Sequence, residues 1–141
     1  MGNNHLTKYD FYKSSINQEE IVLRGKSALE LLGMFSGYLD DNVIEAYSLR
    51  AIGNKSIDYI ILDDFKDIEI EKVKDIYCTT FIQTINDMLM DPDYDLEVVL
   101  QSLGNYYHKN NESFDSLRIA EVNLREFNKI KDWATDYYKV G

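Results

Sequence analysis

The stretch Ile70-Glu-Lys-Val-Lys-Asp-Ile-Tyr-Cys-Thr-Thr-Phe-Ile-Gln-Thr-Ile-Asn-Asp-Met-Leu89 changes its hydrophobic period halfway along. Ile70, Val73, Ile76 and Tyr77 fall in short β-branched and aromatic runs, the pattern of strands. From Thr80 the pattern is helical, because Thr80-Phe-Ile-Gln83 is a capping box heading a helix to about Met90. Toward the N-terminus the β character continues back to Asn42. Val43, Ile44, Ala46, Tyr47, Leu49 and Ile52 form one strand-like stretch and Ile57–Leu62 another, with Asp63-Asp64 as a turn. Connections this short predict antiparallel pairing, since parallel neighbours usually need a crossover of about a dozen residues or more. Further back, Ser27-Ala-Leu-Glu30 reads as another capping box, with Ser27 as N-cap. Its helix offers Leu29, Leu32, Met34 and Phe35 to a core and closes near Gly33 to Gly37. Asn17–Glu20 reads as a short helix feeding the apolar run Ile21-Val22-Leu23.

Toward the C-terminus, Asp91 suits an N-cap and Pro92 the first helical position, followed by Leu96, Val99, Leu100, Leu103 and Tyr107 at helical spacing. Ser113 or Asp115 is predicted to open a further helix, and Phe127, Ile130, Ala134 and Tyr137 mark the core stripe of the last one. The whole predicts an α+β chain of N-terminal helices, a small mainly antiparallel sheet and a C-terminal helical half. Residues 21–141 read as one domain behind a weakly ordered segment, 1–20. With 141 residues, a single proline (Pro92) and no repeat or low-complexity tract, nothing marks a linker.

Charge narrows the function classes. Fifteen basic side chains against 25 acidic ones give a net charge of −10, which disfavours phosphate backbones and anionic lipid. The excess is local: residues 75–108 carry Asp75, Asp87, Asp91, Asp93, Asp95 and Glu97 and no Lys or Arg. No apolar run approaches a membrane span and the start lacks a signal-peptide core, so a cytoplasmic protein is expected. The single cysteine, Cys78, excludes an intramolecular disulfide and reads as a small buried hydrophobe.

Few residues carry chemistry. His5 and His108 have no second ligand or base at useful spacing. Asp91-Pro-Asp-Tyr-Asp-Leu-Glu97 alternates acids like an EF-hand loop, but its sixth position is Leu96 and its twelfth Ser102, so it lacks the turn glycine and the bidentate glutamate. Leu23-Arg-Gly-Lys-Ser-Ala-Leu29 resembles the opening of nucleotidyltransferase-type domains, which pair a Gly-rich turn with an Asp-x-Asp metal site. Here Asp58-Tyr-Ile60 holds one acid, and the adjacent Asp63 and Asp64 point to opposite faces of a strand. No metal, no cofactor and no catalytic residue is therefore predicted. First-turn acids complement a helix dipole, yet that does not account for the absence of basic residues from 75 to 108. Asp91, Asp93, Asp95 and Glu97 are accordingly the candidate docking face for a basic protein partner.

Two stretches resemble one family. Ser27-Ala-Leu-Glu-Leu-Leu-Gly33-Met is similar to the Ser-Ala-Leu-x-Leu-x-Gly-Leu helix of AbiEi-type abortive-infection antitoxins. Gln83, Thr84, Ile85, Asp87 and Leu89 match that family's Arg/Gln-Thr-Ile-x-Asp-Leu-Leu helix start, with Phe81 and Ile82 where Pro-Glu is usual. The resemblance covers about residues 20–139. Too few residues precede Ile21 for the family's N-terminal winged helix, so it implies the C-terminal antitoxin domain alone, without operator binding. Ser27, Gly33, Gln83, Thr84 and Asp87 are then structural positions, and the expected role is non-enzymatic neutralisation of a nucleotidyltransferase-type toxin. The rival expectations are a degenerate nucleotidyltransferase-like enzyme, and an acidic interaction or inhibitor module of a mobile element. Nucleic-acid and membrane partners are not expected.

Overall fold

Ile21, Val22 and Leu23 are all buried, and this three-residue strand, β1 (Ile21–Leu23), lies at the centre of the sheet. The computed structural model describes residues 8–16, 20–36 and 43–137. Around β1 stand β2 (Ile44–Ser48), β3 (Ile57–Ile61), β4 (Ile70–Val73) and β5 (Ile76–Thr79), in the order β3-β2-β1-β5-β4. The helices are α1 (Lys8–Ile16), α2 (Gly25–Leu31), α3 (Phe81–Met90), α4 (Leu96–Lys109) and α5 (Leu124–Tyr137), the last preceded by a 3-10 turn, Glu121–Asn123. The chain is α+β. Its sheet is not confined to a middle segment, because β1 precedes α2. Three residues are too few for a strand to show a period.

The expectation of a mainly antiparallel sheet is corrected. β1 pairs antiparallel with β2 and β4 with β5, but β2 runs parallel to β3 and β1 parallel to β5, so the sheet is mixed. The β2–β3 link, residues 49–56, needs no helix. A five-residue strand spans only about 17 Å, and an extended link of this length reaches about 26 Å. β1 and β5 are not sequential neighbours, so link length never constrained them.

Asp63-Asp64 does not close a hairpin either. β3 and β4 lie at opposite edges, so residues 62–69 cross a face of the sheet as a strap. Leu62 N–H donates to Ser48 O at 2.8 Å, and Thr80 N–H to Glu69 O at 3.0 Å at the far end. Between them Phe65 lines a cavity of about 630 Å³ with Val22, Ile70 and Tyr77.

Two apolar clusters meet at α2. Ala28 and Leu31 join Tyr12, Ile16, Ile21, Leu23, Ile44 and Cys78 on one side. Leu29 joins Ile85, Val99, Leu103, Phe127, Ile130 and Ala134 on the other. Part of the opening that carries no clear sequence pattern thus forms α1, whose Tyr12 is 2% exposed and donates to Glu30. The short helix expected at Asn17–Glu20 lies almost wholly outside the described residues, as do His5 and Gly37.

Three expected helix starts are corrected. α2 begins at Gly25, not after Ser27, whose hydroxyl accepts from Glu45 N–H at 2.9 Å instead of capping. Asp91 is the C-cap of α3, and the N-cap of α4 is Asp95, whose carboxylate accepts from Val98 N–H at 3.3 Å. Pro92 therefore lies in the turn between them. No helix opens at Ser113 or Asp115: the Ser113 hydroxyl accepts from Asp115 N–H, a local turn, and the next helical residues come at Glu121. Thr80 does cap α3, accepting from Gln83 N–H at 3.2 Å. Gly33 follows the end of α2 with φ +75°, the left-handed conformation of a helix C-terminus.

Candidate functional site

At the end of β1 the chain turns sharply through Arg24, Gly25 and Lys26 into α2. Gly25 has φ +55°, and a Cβ there would stand 2.5 Å from Glu45 Oε1. The left-handed backbone favours glycine, and any Cβ there would also force the Glu45 carboxylate to shift. Glu45 organises this corner: its carboxylate lies 3.5 Å from Arg24 Nη1 and accepts from Lys26 N–H at 3.3 Å, while its carbonyl accepts from Arg24 N–H. Burial pushes the Glu45 carboxyl above its usual range, and Arg24 opposes that shift.

The Arg24 guanidinium lies 5.1 Å over the Tyr47 ring, and Tyr47 O–H donates to Asp87 at 2.8 Å. Burial raises the Tyr47 phenol above its ordinary value, so it stays a proton donor to that carboxylate. Gln83 Nε2 donates to the other Asp87 oxygen at 2.9 Å, one turn along α3. The Gln83 carbonyl accepts from Glu69 N–H at 3.0 Å and so fastens the strap to α3 rather than completing a capping box. Thr84, fully buried, shares a hydroxyl–hydroxyl contact of 2.6 Å with Thr79 and donates to Thr80 O. Ser27, Gln83, Thr84 and Asp87 therefore all tie elements together. Gly33 alone lies apart, on the surface.

The acidic stretch borders the same corner. Arg24, Lys26, Glu45, Met88, Asp91, Asp93, Tyr94 and Asp95 line a cleft of about 220 Å³. Asp91 accepts from Asp93 N–H at 2.9 Å and Asp95 caps α4, so both carboxylates also hold local backbone. Asp91, Asp93, Asp95 and Glu97 are all exposed, with Glu97 in the first turn of α4.

The acids weighed as a metal site do not converge. Asp58 lies exposed on β3, and Asp63 and Asp64 in the strap, where Asp64 accepts from Lys66 N–H. Among the described residues no group of three or more His, Cys, Asp or Glu is placed to hold a metal ion. Burial pushes the Cys78 thiol up to about 12, with Glu71 adding to the shift, which makes it a poor nucleophile at neutral pH. His108 lies 3.8 Å from Glu112 at the end of α4 and edge-on to Tyr107. Among the described residues no helix is long and apolar enough to cross a membrane.

Sequence reasoning missed Arg24, Glu45 and Tyr47. One signal was available: Glu45 and Tyr47 alternate with Ile44 and Ala46 along β2, which puts both on one face. Compared with known proteins, the chain matches no family model and no curated protein.

Proposed function

We propose that the chain is a non-enzymatic, cytoplasmic antitoxin-like protein of a bacterial toxin–antitoxin or phage-defence system, neutralising a nucleotidyltransferase-type toxin by protein contact. The observation that carries this reading is the division of labour around α3. Gln83, Thr84 and Asp87, which match the antitoxin family's helix start, are spent on fastening the strap, the sheet and α3. Immediately beyond them Asp91, Asp93 and Glu97 present carboxylates to solvent. A fixed helix followed by an acidic turn suits recognition of a basic surface, where charge steers association. The test is growth. A toxin of nucleotidyltransferase type encoded beside this chain should arrest growth when expressed alone, and co-expression of this chain should relieve the arrest. Arrest that persists at full soluble expression of this chain would remove the reading.

The Gly25 corner favours one second reading, a degenerate nucleotidyltransferase-like protein, because a glycine turn between strand and helix borders a polar cleft. Magnesium-dependent transfer of label from nucleoside triphosphates by the purified chain, lost on Glu45→Gln, is the outcome that would favour it.

A further inference from the structure

β3 ends the sheet, and among the described residues no strand pairs with its outer side. An open edge presents unpaired N–H and C=O groups to any strand that can reach them. Which groups face outward follows from the pairing with β2. Ile44 N–H donates to Ser56 O and Leu62 N–H to Ser48 O, both at 2.8 Å. In a parallel ladder alternate residues turn both backbone groups to the neighbour, so Asp58 and Ile60 face β2 as well. Tyr59 and Ile61 therefore point N–H and C=O away from the sheet. The Ile57 C=O does the same, while Ile57 N–H is bonded back to Asn54 O at 3.1 Å. The opposite edge is blunted, because β4 carries Glu71 and Lys72, both exposed, within its four residues. β3 has little such protection. Ile57-Asp-Tyr-Ile-Ile-Leu62 is β-branched and aromatic, contains no Gly, Pro or Lys, and leaves Ile60 45% and Ile61 54% exposed.

The sequence around this strand complements itself when reversed. With Tyr59 opposite the Tyr59 of an antiparallel copy, Ile57 meets Ile61, Asp58 meets Ile60, and Lys55 meets Asp63, so opposite charges pair and no like charges face each other. The backbone suits the same register. Each Tyr59 exchanges both its bonds with the Tyr59 of the second copy, and each Ile61 N–H reaches the other copy's Ile57 C=O. Side chains alternate along a strand, so Ile57, Tyr59 and Ile61 share a face. Ile57 belongs to the apolar cluster shared with α1 and α2, and Tyr59 packs against it. Pairing continues that apolar layer from one copy to the next and covers Ile61. We propose that β3 joins a second copy of this chain in an antiparallel pair, about a twofold axis at Tyr59, to make one continuous sheet. A twofold contact uses the β3 edge of both chains and closes at two copies. The proposal goes beyond the antitoxin reading and does not rest on it.

Sedimentation of the full chain at rising concentration should show a reversible passage from the mass of one chain to that of two. Ile61→Lys places a charge at an exposed position, so circular dichroism should report an intact fold while the dimer weakens by about tenfold or more. Lys55→Asp sets like charges opposite each other at both ends of the paired strands and should weaken the dimer by about threefold to tenfold. Adding Asp63→Lys to that variant should restore it. The rescue is specific to this register, because Lys55 and Asp63 flank opposite ends of β3 within one chain. A single-chain mass at every concentration up to about 1 mM would overturn the proposal. The same holds for a dimer indifferent to Ile61→Lys, or for charge changes that fail to weaken and then restore it. A mass climbing beyond two copies would also overturn it, since that is the mark of open-ended pairing between β3 and β4.

Discussion

At the scale of single residues, the corner at Gly25 stores the most specific demand. Gly25→Ala must place a Cβ 2.5 Å from the Glu45 carboxylate and hold an L-residue at φ +55°. The left-handed backbone alone costs about 1–2 kcal/mol, so a loss of about 2 kcal/mol or more is expected in urea unfolding. A loss of only about 1 kcal/mol would show that Glu45 moves aside freely and leaves only the backbone cost, and a loss below about 0.5 kcal/mol would contradict the backbone strain itself. The acids of the α3–α4 turn divide in the same way. Asp95→Ala should cost about 1 kcal/mol as a lost N-cap. Asp93→Lys, which removes no cap, should leave the melting temperature nearly unchanged; equal losses for both would contradict the assignment of the cap. That division was not legible in the sequence. Asp91 before Pro92 and Asp95 before Leu96 satisfy the same capping rule, and only the course of the backbone between α3 and α4 chooses between them.

Among the elements, α1 is tied down by charge as well as by its buried Tyr12 and Ile16. Lys13 and Tyr9 both bind Asp75 in the β4–β5 turn, and Lys13, the larger influence, helps hold that carboxyl down at about 2 from its ordinary 3.8. A depressed carboxyl contributes stability that is present above its unfolded value and is lost as pH falls through the folded one. The tie between α1 and the turn should therefore loosen between about pH 4 and pH 2, seen as faster amide exchange in α1. Asp75→Asn should abolish that acid step, and an unchanged step would place its origin elsewhere. Glu45 acts in the opposite sense. Its raised carboxyl favours the protonated folded state, so acid relieves a burial cost there while it breaks the tie at Asp75. The strap shows why strand order escaped the sequence. Asp63-Asp64 is a good turn by composition, and a chain crossing the whole sheet turns at the same residues as one closing a hairpin.

For the whole molecule, α2 is the joint between the two apolar clusters, with Ala28 and Leu31 facing one and Leu29 the other. Leu29 is fully buried, so Leu29→Ala should lower stability by about 2–5 kcal/mol. If α2 couples the halves, far-ultraviolet and aromatic signals should still melt together in this variant. Two separated transitions would mean that the sheet with α1 and the bundle α3–α5 stand independently.

The sequence by itself determined the class, through local physics. The change of period at Cys78 to Thr80, the Thr80 cap, the Gly33 helix end and the apolar stripe of α5 are set within a few residues, and each stands where local rules place it. It also determined the acidic character of residues 75–108. Tertiary structure decided which strands pair and in which direction, because a three-residue central strand has no period and an eight-residue link permits either direction. It decided as well that Arg24, Glu45, Tyr47 and Asp87, up to 63 residues apart, share one corner. Each of these contacts joins elements distant in the chain, and no local spacing records them.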